Sequence, residues 1–387
     1  MVDFSLTEAD QRLQAVAHRE NEIGRKYARE WDRNSENEPS RIRGIHPDVA
    51  GLESPHAALE REQEQTSGLV IAEALMDMVS ATDVNLRDTG EDAFGSWMLN
   101  DYGTEEQKAK YGHVKLAIAI TEPGAGSDPA NMRTNARYDP ATDEYVLNGE
   151  KVFISFFNKF DGAVTLMKGE PDGAGKTPFM TVVVTKDLPG VTEIPQFKKL
   201  GIRSHELSGF HLQDVRVPAI ARLDADFGKT MSKFNHNRPL VAAHALAGAR
   251  SMLDFTHARL AEAGLKVDYA KGRSARSANE DRLIRMEALW EAAWGTVMRA
   301  KWLEHQMGSE SHGYRVEASV AKALGGKVVR QITQGCLEIL GPEGLSEEYL
   351  AEKWFRDVRI ADIYEGAGEI QRILIARALL GYKNELN

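Results

Sequence analysis

Residues 116–128 read Leu-Ala-Ile-Ala-Ile-Thr-Glu-Pro-Gly-Ala-Gly-Ser-Asp, an apolar run that passes into a loop of small residues. The run is typical of a short strand, and the loop after it carries the hydroxyls of Thr121 and Ser127. Gly124 and Gly126 let the backbone approach a ligand closely, and clustered N–H groups can bind phosphate oxygens. Taken alone, the loop is interpreted equally well as a plain β-turn.

Short strand-like segments continue after this loop, and turn residues separate them. The turns are predicted at Asp139-Pro140, Asn148-Gly149, Asp172-Gly173 and Pro189-Gly190. Strands at this spacing, without helices between them, predict an antiparallel sandwich or barrel over residues 114–222. The predicted strands are Leu116–Thr121, Glu144–Leu147, Lys151–Ser155, Ala163–Met167, Phe179–Val184 and Phe210–Val217.

The segments on both sides of this β region have helical patterns. Residues 1–113 hold two candidate capping boxes, at Ser5–Glu8 and Thr104–Gln107. They also hold an apolar helix at Leu69–Val79 and a loop rich in proline and glycine at 36–57. Residues 223–387 return to long helical periods. The helices predicted there are Leu240–Ala263, Glu280–Met307, Val316–Leu340 and Glu369–Leu380.

The order of these zones restricts the fold class. Helices, then strands, then helices argues against Rossmann and TIM-barrel enzymes, because both alternate strand and helix. We therefore predict an α+β protein with three domains. They are an N-terminal helical domain (1–113), a central antiparallel β-domain (114–222) and a C-terminal domain like a four-helix bundle (223–387).

Composition excludes several classes of protein. Among 387 residues, 48 are Lys or Arg and 58 are Asp or Glu, so the net charge is −10. Nucleic-acid binding is not expected, because it needs a basic footprint. We see no signal-peptide pattern and no apolar stretch that could span a bilayer, so we expect a cytoplasmic protein with no membrane role. The single cysteine, Cys336, excludes a disulfide framework and is expected to be a small buried hydrophobe.

Two segments resemble known motifs but do not have the required spacing. Gly169–Thr177 looks like a phosphate-binding P-loop, but five residues separate its first glycine from Gly-Lys, and the motif requires four. A strand also follows where a helix is needed, so we predict a hairpin loop. His205 and His211 lie six residues apart in a non-helical segment, which does not suit a zinc site.

A second informative segment lies near the C-terminus. Residues 356–366 read Arg-Asp-Val-Arg-Ile-Ala-Asp-Ile-Tyr-Glu-Gly, and a predicted helix follows. Glu365 therefore lies just before a helix begins. Because a carboxylate at that position interacts favourably with the helix dipole, Glu365 taken alone is best interpreted as a capping or solvated group.

Together the two segments resemble the acyl-CoA dehydrogenase family. Thr121–Asp128 is close to a signature of that family, and Ile363-Tyr-Glu-Gly-x-x-Glu-Ile-Gln371 resembles its catalytic segment. Further similar segments follow the family's order along almost the whole chain. They are Asp3–Glu8, Tyr102–Lys108, Asn148–Lys151, Asp214–Pro218 and Arg238–Ala243.

The resemblance implies a helical, a β and a second helical domain, an FAD cofactor and an acyl-CoA substrate. It implies that Glu365 removes the α-proton while a hydride moves from Cβ to flavin N5. A carboxylate can do this only where dehydration raises its pKa toward neutrality. Hydrogen bonds to the thioester oxygen from the flavin ribose and the Glu365 backbone N–H would stabilise the developing enolate. An electron-transfer flavoprotein or a similar acceptor is the implied partner.

The resemblance also assigns roles to individual residues. Thr121 matches a residue that contacts the flavin ring, and Ser127 one near the pyrophosphate and substrate. Phe153-Ile154-Ser155 replaces the usual Trp-Ile-Thr/Ser, so a ring is kept without the indole donor. Arg238 resembles an arginine that contacts the CoA part of the substrate, and the alternative is an ordinary helix-surface arginine. The expected substrate-binding residues are Ser127, Arg238 and Gly366, and the expected cofactor-binding residues are Ile118, Thr121, Gly126, Ser127, Phe153, Ile154, Ser155, Ala367 and Glu369.

The chain departs from the family where family members contact a neighbouring subunit's FAD. The usual Arg-Lys-x-Phe-Gly is replaced by Glu262–Tyr269, which lacks the arginine, and the usual Gln-x-x-Gly-Gly-x-Gly by Glu338–Gly344. A glutamate near an ADP phosphate would repel it. Ala367 stands where a threonine is usual, and the common Pro-x-x-x-Gly-Gly loop is not recognisable near residues 47–60.

These departures leave two assemblies open. Either a related partner supplies the arginine in a hetero-oligomer, or Arg273 or Arg276 replaces it in a homotetramer. The prevalence of homomers favours the second. The alternative functions are an enoyl-thioester reductase or oxidase, action on an acyl-carrier protein, or a non-catalytic partner subunit. Retention of Glu365 and of the 121–128 loop argues against the last of these.

Overall fold

The computed structural model describes residues 7–34, 93–309 and 311–381. Within these ranges the chain forms two compact units. The first unit contains 7–34, 199–204 and 233–381, apart from 310, and the second contains 93–198 and 205–232. The helix predicted at 69–79 and the loop at 36–57 lie outside the described residues. The division into three domains stays a prediction.

The second unit is built on one sheet. Its strands are β1 (Leu116–Ala119), β2 (Asn135–Asp139), β3 (Glu144–Ser155), β4 (Gly162–Lys168), β5 (Phe179–Thr185), β6 (Val191–Ile194), β7 (Leu207–Pro218) and β8 (Arg222–Leu223). The order is β6-β7-β3-β2-β4-β5-β8, and β1 pairs with β4. Most pairs are antiparallel, whereas β4 runs parallel to β1 and β2. This confirms a mainly antiparallel sheet in the predicted β region, with two parallel pairs that we did not expect, while its bounds as a domain (114–222) stay a prediction. The loop at 169–177 joins an antiparallel pair, as expected.

One predicted turn is wrong. Asn148-Gly149 does not separate two strands but lies inside β3, where the register with β7 shifts between Leu147 and Gly149. Gly149 has a φ of 146°, and a Cβ there would meet the Thr134 Cα at 2.6 Å. The glycine therefore serves a β-bulge and a close backbone approach. We did not predict β2, β6 and β8, because these strands bury few residues and their sequences therefore lack an apolar run.

Two short helices precede the sheet, α2 (Phe94–Tyr102) and α3 (Glu105–Tyr111). The predicted capping box at the start of α3 is confirmed. Thr104 Oγ1 accepts from Gln107 N at 3.2 Å, and Gln107 Oε1 accepts from Thr104 N at 2.8 Å. Gln107 Nε2 also donates to the carbonyls of Ile220 and Arg222, so one side chain both caps α3 and ties it to β8.

The described part of the first unit is mainly helical. Its helices are α1 (Glu8–Asn34), α4 (Phe227–Glu262, from residue 233 onward), α5 (Ala278–Met307), α6 (His312–Leu340), α7 (Ala351–Asp357) and α8 (Gly368–Leu380). The four helices predicted after residue 223 are confirmed, but α4 begins at Phe227 rather than at the predicted Leu240, and the short α7 was not predicted. Cys336 is fully buried in α6, as expected, and burial raises the pKa of its thiol to about 11.

The cap of α1 differs from the predicted one. The reciprocal bonds are made by Thr7 and Asp10: Thr7 N donates to Asp10 Oδ2 at 2.8 Å, and Asp10 N donates to Thr7 Oγ1 at 3.1 Å. Glu8 is therefore not the capping partner, and Ser5 lies outside the described residues. Of the helices that the structure describes, none is long and apolar enough to cross a membrane.

A proline inside α4 shapes the region around Arg238. Pro239 lacks the N–H that would bond the Asn235 carbonyl. The fully buried hydroxyl of Tyr314 donates to this carbonyl at 2.8 Å, and it lies 3.0 Å from Glu304 Oε2. Tyr314 on α6 therefore satisfies the backbone group that the proline leaves free.

We predict that Tyr314→Phe lowers the free energy of unfolding by about 1–3 kcal/mol, because the buried Asn235 carbonyl loses its donor. Urea unfolding followed by circular dichroism measures this loss. Tyr138→Phe removes an exposed hydroxyl bonded to Asp143 at 2.7 Å and is the control, with an expected change under about 0.5 kcal/mol. Equal losses in the two variants would contradict the role given to Tyr314.

Candidate active site

A buried ion pair holds the glycine-rich loop after β1. Glu122 is 6% exposed, and its carboxylate accepts from Arg133 N (2.7 Å), Thr134 N (3.0 Å) and Lys151 Nζ (2.9 Å). Lys151 is fully buried and also donates to the Ile120 carbonyl at 2.8 Å. Burial alone would raise the pKa of Glu122, but these hydrogen bonds bring it below its usual value. Glu122 is therefore an ionised anchor of the loop.

The loop lies against a bulge that projects Phe153. Val152 N donates to the Thr121 carbonyl at 3.0 Å. The β3–β7 register shifts between Val152 and Ile154, so Phe153 is an extra residue in β3. It has a φ of 59°, is 55% exposed and lies 4.8 Å from the Phe197 ring. Because a bulge redirects a side chain, an aromatic ring faces outward beside the Thr121 backbone.

Ile154 and Ser155, which follow Phe153 in β3, differ in what they can present to a ligand. Ser155 Oγ lies 2.8 Å from His205 Nε2, so the imidazole orients the hydroxyl. Ile154 is 3% exposed and packs in the sheet core, and Ile118 packs against the same core. For Ile154, only the backbone is therefore available to a ligand.

The tip of the loop is open. Glu122 and Ala125 exchange two backbone hydrogen bonds at 3.1 Å, so the segment is a tight turn as well as a candidate binding loop. Gly126 and Ser127 are exposed, and a Cβ added at Gly124 or Gly126 would meet no atom within 4 Å. Local packing therefore does not require these glycines, and space remains over the backbone.

In the first unit, Glu365 lies in a left-handed turn before α8. Its φ is 54° and that of Gly366 is 92°. A non-glycine residue in this conformation costs on the order of 1–3 kcal/mol and persists only when its surroundings enforce it. Lys322 Nζ donates to the Gly366 carbonyl at 2.8 Å, and Gln371 Nε2 lies 3.2 Å from that oxygen and 3.4 Å from the Glu365 carbonyl. Both side chains are fully buried.

The Glu365 carboxyl has the properties of a base at neutral pH. Its Oε2 atom is buried and has no hydrogen-bond partner within the described ranges. Burial raises the pKa of Glu365 to about 7, although Lys322, Arg238 and His236 act in the opposite direction. The N-cap of α8 is Ala367, and no side chain caps this helix. Glu365 is therefore not a helix cap.

Arg238 is not a surface residue, so the alternative interpretation is wrong. It is 8% exposed on α4, and its Nη1 lies 2.5 Å from Asn235 Oδ1. Its Nη2 lies 3.9 Å from the position of a Cβ on Gly366, so the guanidinium is close to the turn that carries Glu365. Burial lowers the pKa of Arg238, and Glu365 opposes that shift.

A buried polar cluster adjoins this turn. His236 Nδ1 lies 2.7 Å from Glu304 Oε1, and Lys301 Nζ lies 2.7 Å from Glu304 Oε2. Lys301 is fully buried, and Glu304 is 5% exposed. Because His236 is among the groups that lower the pKa of Glu365, α4 contributes two positive or ionisable groups to its surroundings.

The two glutamates in the altered 338–344 segment have partners in the same chain. Glu338 pairs with Arg282 and accepts from Gln334, and Glu343 Oε1 lies 2.5 Å from Arg259 Nε. The repulsion that we expected from Glu338 is therefore opposed by an adjacent guanidinium. Arg273 is an exposed side chain, with its Nε 3.7 Å from Asp281 Oδ1. Its role in a homotetramer stays a prediction.

Comparison with known proteins identifies the family. Residues 117–215 match the acyl-CoA dehydrogenase middle domain, and residues 227–380 match the C-terminal domain. A probable acyl-CoA dehydrogenase of Bacillus subtilis (strain 168) is 31% identical over 298 residues, which cover 74% of this chain and 76% of that protein. The chain belongs to the acyl-CoA dehydrogenase family. The resemblance drawn from the motifs is thus confirmed.

Other members of the acyl-CoA dehydrogenase family match to different extents. The mitochondrial very long-chain specific acyl-CoA dehydrogenase of Bos taurus is 31% identical over 297 residues, which cover 71% of this chain but 43% of that protein. The structure of a Mycobacterium smegmatis glutaryl-CoA dehydrogenase in complex with FADH2 superposes with a TM-score of 0.78 at 22% identity. That match covers 98% of this chain and 96% of the other, and it confirms the predicted fold.

Sequence reasoning gave no role to four residues around Glu365, namely His236, Asn237, Lys322 and Gln371. Lys322 had a visible signal, because it lies on the small-residue face of α6 with Ala318, Ala321 and Gly325, where a charged residue is unexpected. Gln371 belongs to the segment that resembles the family's catalytic motif, but its contact with the turn was not predicted. His236 and Asn237 gave no signal, since polar residues are ordinary on the solvent-facing side of a helix.

We predict that Glu365→Gln changes stability in a pH-dependent way. Because the folded-state pKa of about 7 lies above the usual 4.5, the folded protein holds this proton more tightly. The stabilisation is present below pH 4.5 and is lost as the pH rises through 7. The variant should match the wild type in melting temperature at pH 5 and exceed it at pH 8.

The matched control for this measurement is Glu317→Gln, which removes a carboxylate paired with exposed Arg299 at 3.1 Å. It should give no gain at pH 8, because a surface ion pair is worth little. A pH-independent difference between Glu365→Gln and the wild type would be inconsistent with a buried, titrating carboxyl.

Proposed function

We propose that the chain is an FAD-dependent dehydrogenase that converts an acyl-CoA thioester into a 2-enoyl-CoA, with Glu365 as the base. The observation that carries this proposal is the Oε2 atom of Glu365, which is buried and has no hydrogen-bond partner in the described part of the chain, together with a pKa that burial raises to about 7. Membership of the family supports the reaction class. The acyl group is not assigned.

The residues account for the proton transfer. The thioester acidifies the α-C–H bond, whose proton passes to Glu365 while the bonding electrons move toward the carbonyl. The Cα–Cβ double bond then forms as a hydride leaves Cβ, and bound FAD would accept that hydride. A carboxylate with a pKa near the working pH is effective as a general base. Glu365 becomes neutral in this step, and its buried position favours the neutral acid.

The second unit has groups that fit FAD. The outward Phe153 ring beside Thr121 offers a flat apolar surface for the flavin ring, and the Ser155 hydroxyl lies in the same strand. The exposed turn with Gly126 and Ser127 offers N–H groups and a hydroxyl suited to a pyrophosphate. Ile118, Ile154, Ala367 and Glu369 stay predicted cofactor contacts, and Ser127, Arg238 and Gly366 stay predicted substrate contacts.

The remaining expectations concern partners and assembly. We propose that an electron-transfer flavoprotein or a similar acceptor reoxidises the flavin, and that the chain forms a homotetramer. Cytoplasmic localisation stays a prediction from the sequence.

We predict that Glu365→Gln keeps its flavin and loses about 10²–10⁴-fold in kcat, because the general base is removed. The purified wild type should be yellow and should bleach anaerobically with at least one member of an acyl-CoA panel. Glu317→Gln is the control and should react at the wild-type rate. Near-wild-type kcat in Glu365→Gln would refute the assignment of the base, and a folded chain unable to bind FAD would refute the proposed cofactor.

The pH dependence of kcat gives an independent check. Because only ionised Glu365 can accept the α-proton, kcat should rise with pH through about 7. Stopped-flow reduction of the flavin across the pH range measures this directly. A flat profile from pH 5.5 to 8.5 with rate-limiting chemistry would argue against Glu365 as the base.

A further inference from the structure

We propose that Lys322 is a positioning residue for the base, holding the Glu365–Gly366 turn through the hydrogen bond from its ammonium to the Gly366 carbonyl. That this turn carries the catalytic base rests on the proposed function. The contact itself, 2.8 Å from Nζ to oxygen, belongs to the first unit alone.

Lys322 is buried where an apolar side chain would pack more favourably, which indicates that its ammonium is kept for the contact with Gly366. Lys322 is 0% exposed, on the face of α6 that carries Ala318, Ala321 and Gly325. Burying an ammonium costs several kcal/mol unless it is well paired, and an apolar residue would pack there without that cost. Within the described ranges, its one hydrogen bond goes to Gly366.

Close packing fixes the distance that Lys322 must span. A Cβ on Gly325 would meet the Ala242 Cβ at 2.7 Å, and a Cβ on Gly326 would meet Asp362 Oδ1 at 3.0 Å. These two glycines therefore bring α6 tightly against α4 and against the segment that leads to Glu365. One turn earlier on α6, the extended lysine side chain reaches the Gly366 carbonyl.

The turn needs this support because its backbone is unfavourable. Glu365 has a φ of 54°, a conformation that disfavours a side chain. Gln371 Nε2 is the other donor to the turn, but its distances to the Gly366 carbonyl (3.2 Å) and the Glu365 carbonyl (3.4 Å) are longer than the 2.8 Å of Lys322. An ammonium is also a stronger donor to a carbonyl than an amide. Loss of Lys322 would leave the weaker contact alone.

Lys322 also acts on the carboxyl through its charge. The groups that face Glu365 are Lys322 from α6 and Arg238 and His236 from α4, with a hydrogen bond from Asn237. Burial lowers the pKa of Lys322 to about 8, against the attraction of Glu365, Asp362 and Glu369, while Arg238 adds to the lowering. At neutral pH the ammonium is therefore present and favours ionised Glu365.

The test compares Lys322→Met, Lys322→Gln and a control. Methionine fills the space and removes both donor and charge, whereas glutamine keeps an N–H donor without charge. The control is Lys353→Met, since Lys353 is an equally buried lysine on α7 (1% exposed) that pairs with Asp357. Three quantities are measured: the pKa of Glu365 by infrared titration against Glu365→Gln, hydrogen exchange of peptides covering 363–371, and kcat and KM against pH.

In Lys322→Met we expect the pKa of Glu365 to rise by about 1 unit, because an opposite charge is lost. Exchange in 363–371 should become faster, and kcat at neutral pH should fall about 10- to 100-fold with little change in KM, because the base is misplaced. Lys322→Gln should recover part of the exchange protection but not the pKa. Lys353→Met should lose thermal stability and leave the Glu365 pKa and the exchange of 363–371 unchanged.

An unchanged Glu365 pKa together with unchanged exchange in both Lys322 variants would overturn the proposal. Equal effects in Lys353→Met would reduce Lys322 to a general stabilising residue and would also overturn it. If Lys322→Met does not fold, Lys322→Gln gives the exchange and titration results. Infrared titration and hydrogen exchange need no turnover, so the proposal about Lys322 can succeed or fail separately from the dehydrogenase assignment.

Discussion

The Oε2 atom of Glu365 is buried near Lys322 and Arg238, and burial and these two cations act on the pKa of Glu365 in opposite directions. Burial alone would keep the carboxyl protonated at neutral pH, and the cations alone would keep it ionised. With a pKa of about 7 it can exchange a proton under ordinary conditions. Three helices of the first unit take part in this balance: α4 contributes Arg238 and His236, α6 contributes Lys322, and α8 contributes Gln371 to the backbone of the turn.

Both units combine a left-handed non-glycine residue with a buried lysine that donates to a loop carbonyl. Phe153 and Glu365 are both non-glycine residues with left-handed backbones, at φ values of 59° and 54°. In each unit a fully buried lysine donates to a loop carbonyl: Lys151 to that of Ile120, and Lys322 to that of Gly366 next to Glu365. A buried ammonium is costly unless paired, so both lysines are tied to the loop geometry that pairs them. The left-handed Glu365–Gly366 turn is thus held by a contact inside its own unit.

The sequence predicted the elements with strong periodicity and the motifs with specific spacing. The long helices of residues 223–380 and the capping box at Thr104 were found because their signals are local. Asn148-Gly149 was misplaced because the same dipeptide suits a hairpin turn or a bulge, and only pairing with β7 decides between them. Lys322 was missed for a related reason: its partner lies 44 residues away along the chain. Glu365 was assigned by resemblance, whereas its burial and pKa required the fold.

In the altered 338–344 segment, the partners of the glutamates matter more for ligand binding than the loss of the family motif. Loss of a glutamine and gain of glutamates would by themselves place negative charge where the family resemblance implies a phosphate. In this chain Arg282 pairs with Glu338 and Arg259 pairs with Glu343, so each added carboxylate is matched by a guanidinium from a neighbouring helix. Because each of these carboxylates lies against a guanidinium, the segment differs from the family without the full repulsion that an isolated glutamate would cause. The altered segment is therefore compatible with a phosphate-bearing ligand nearby.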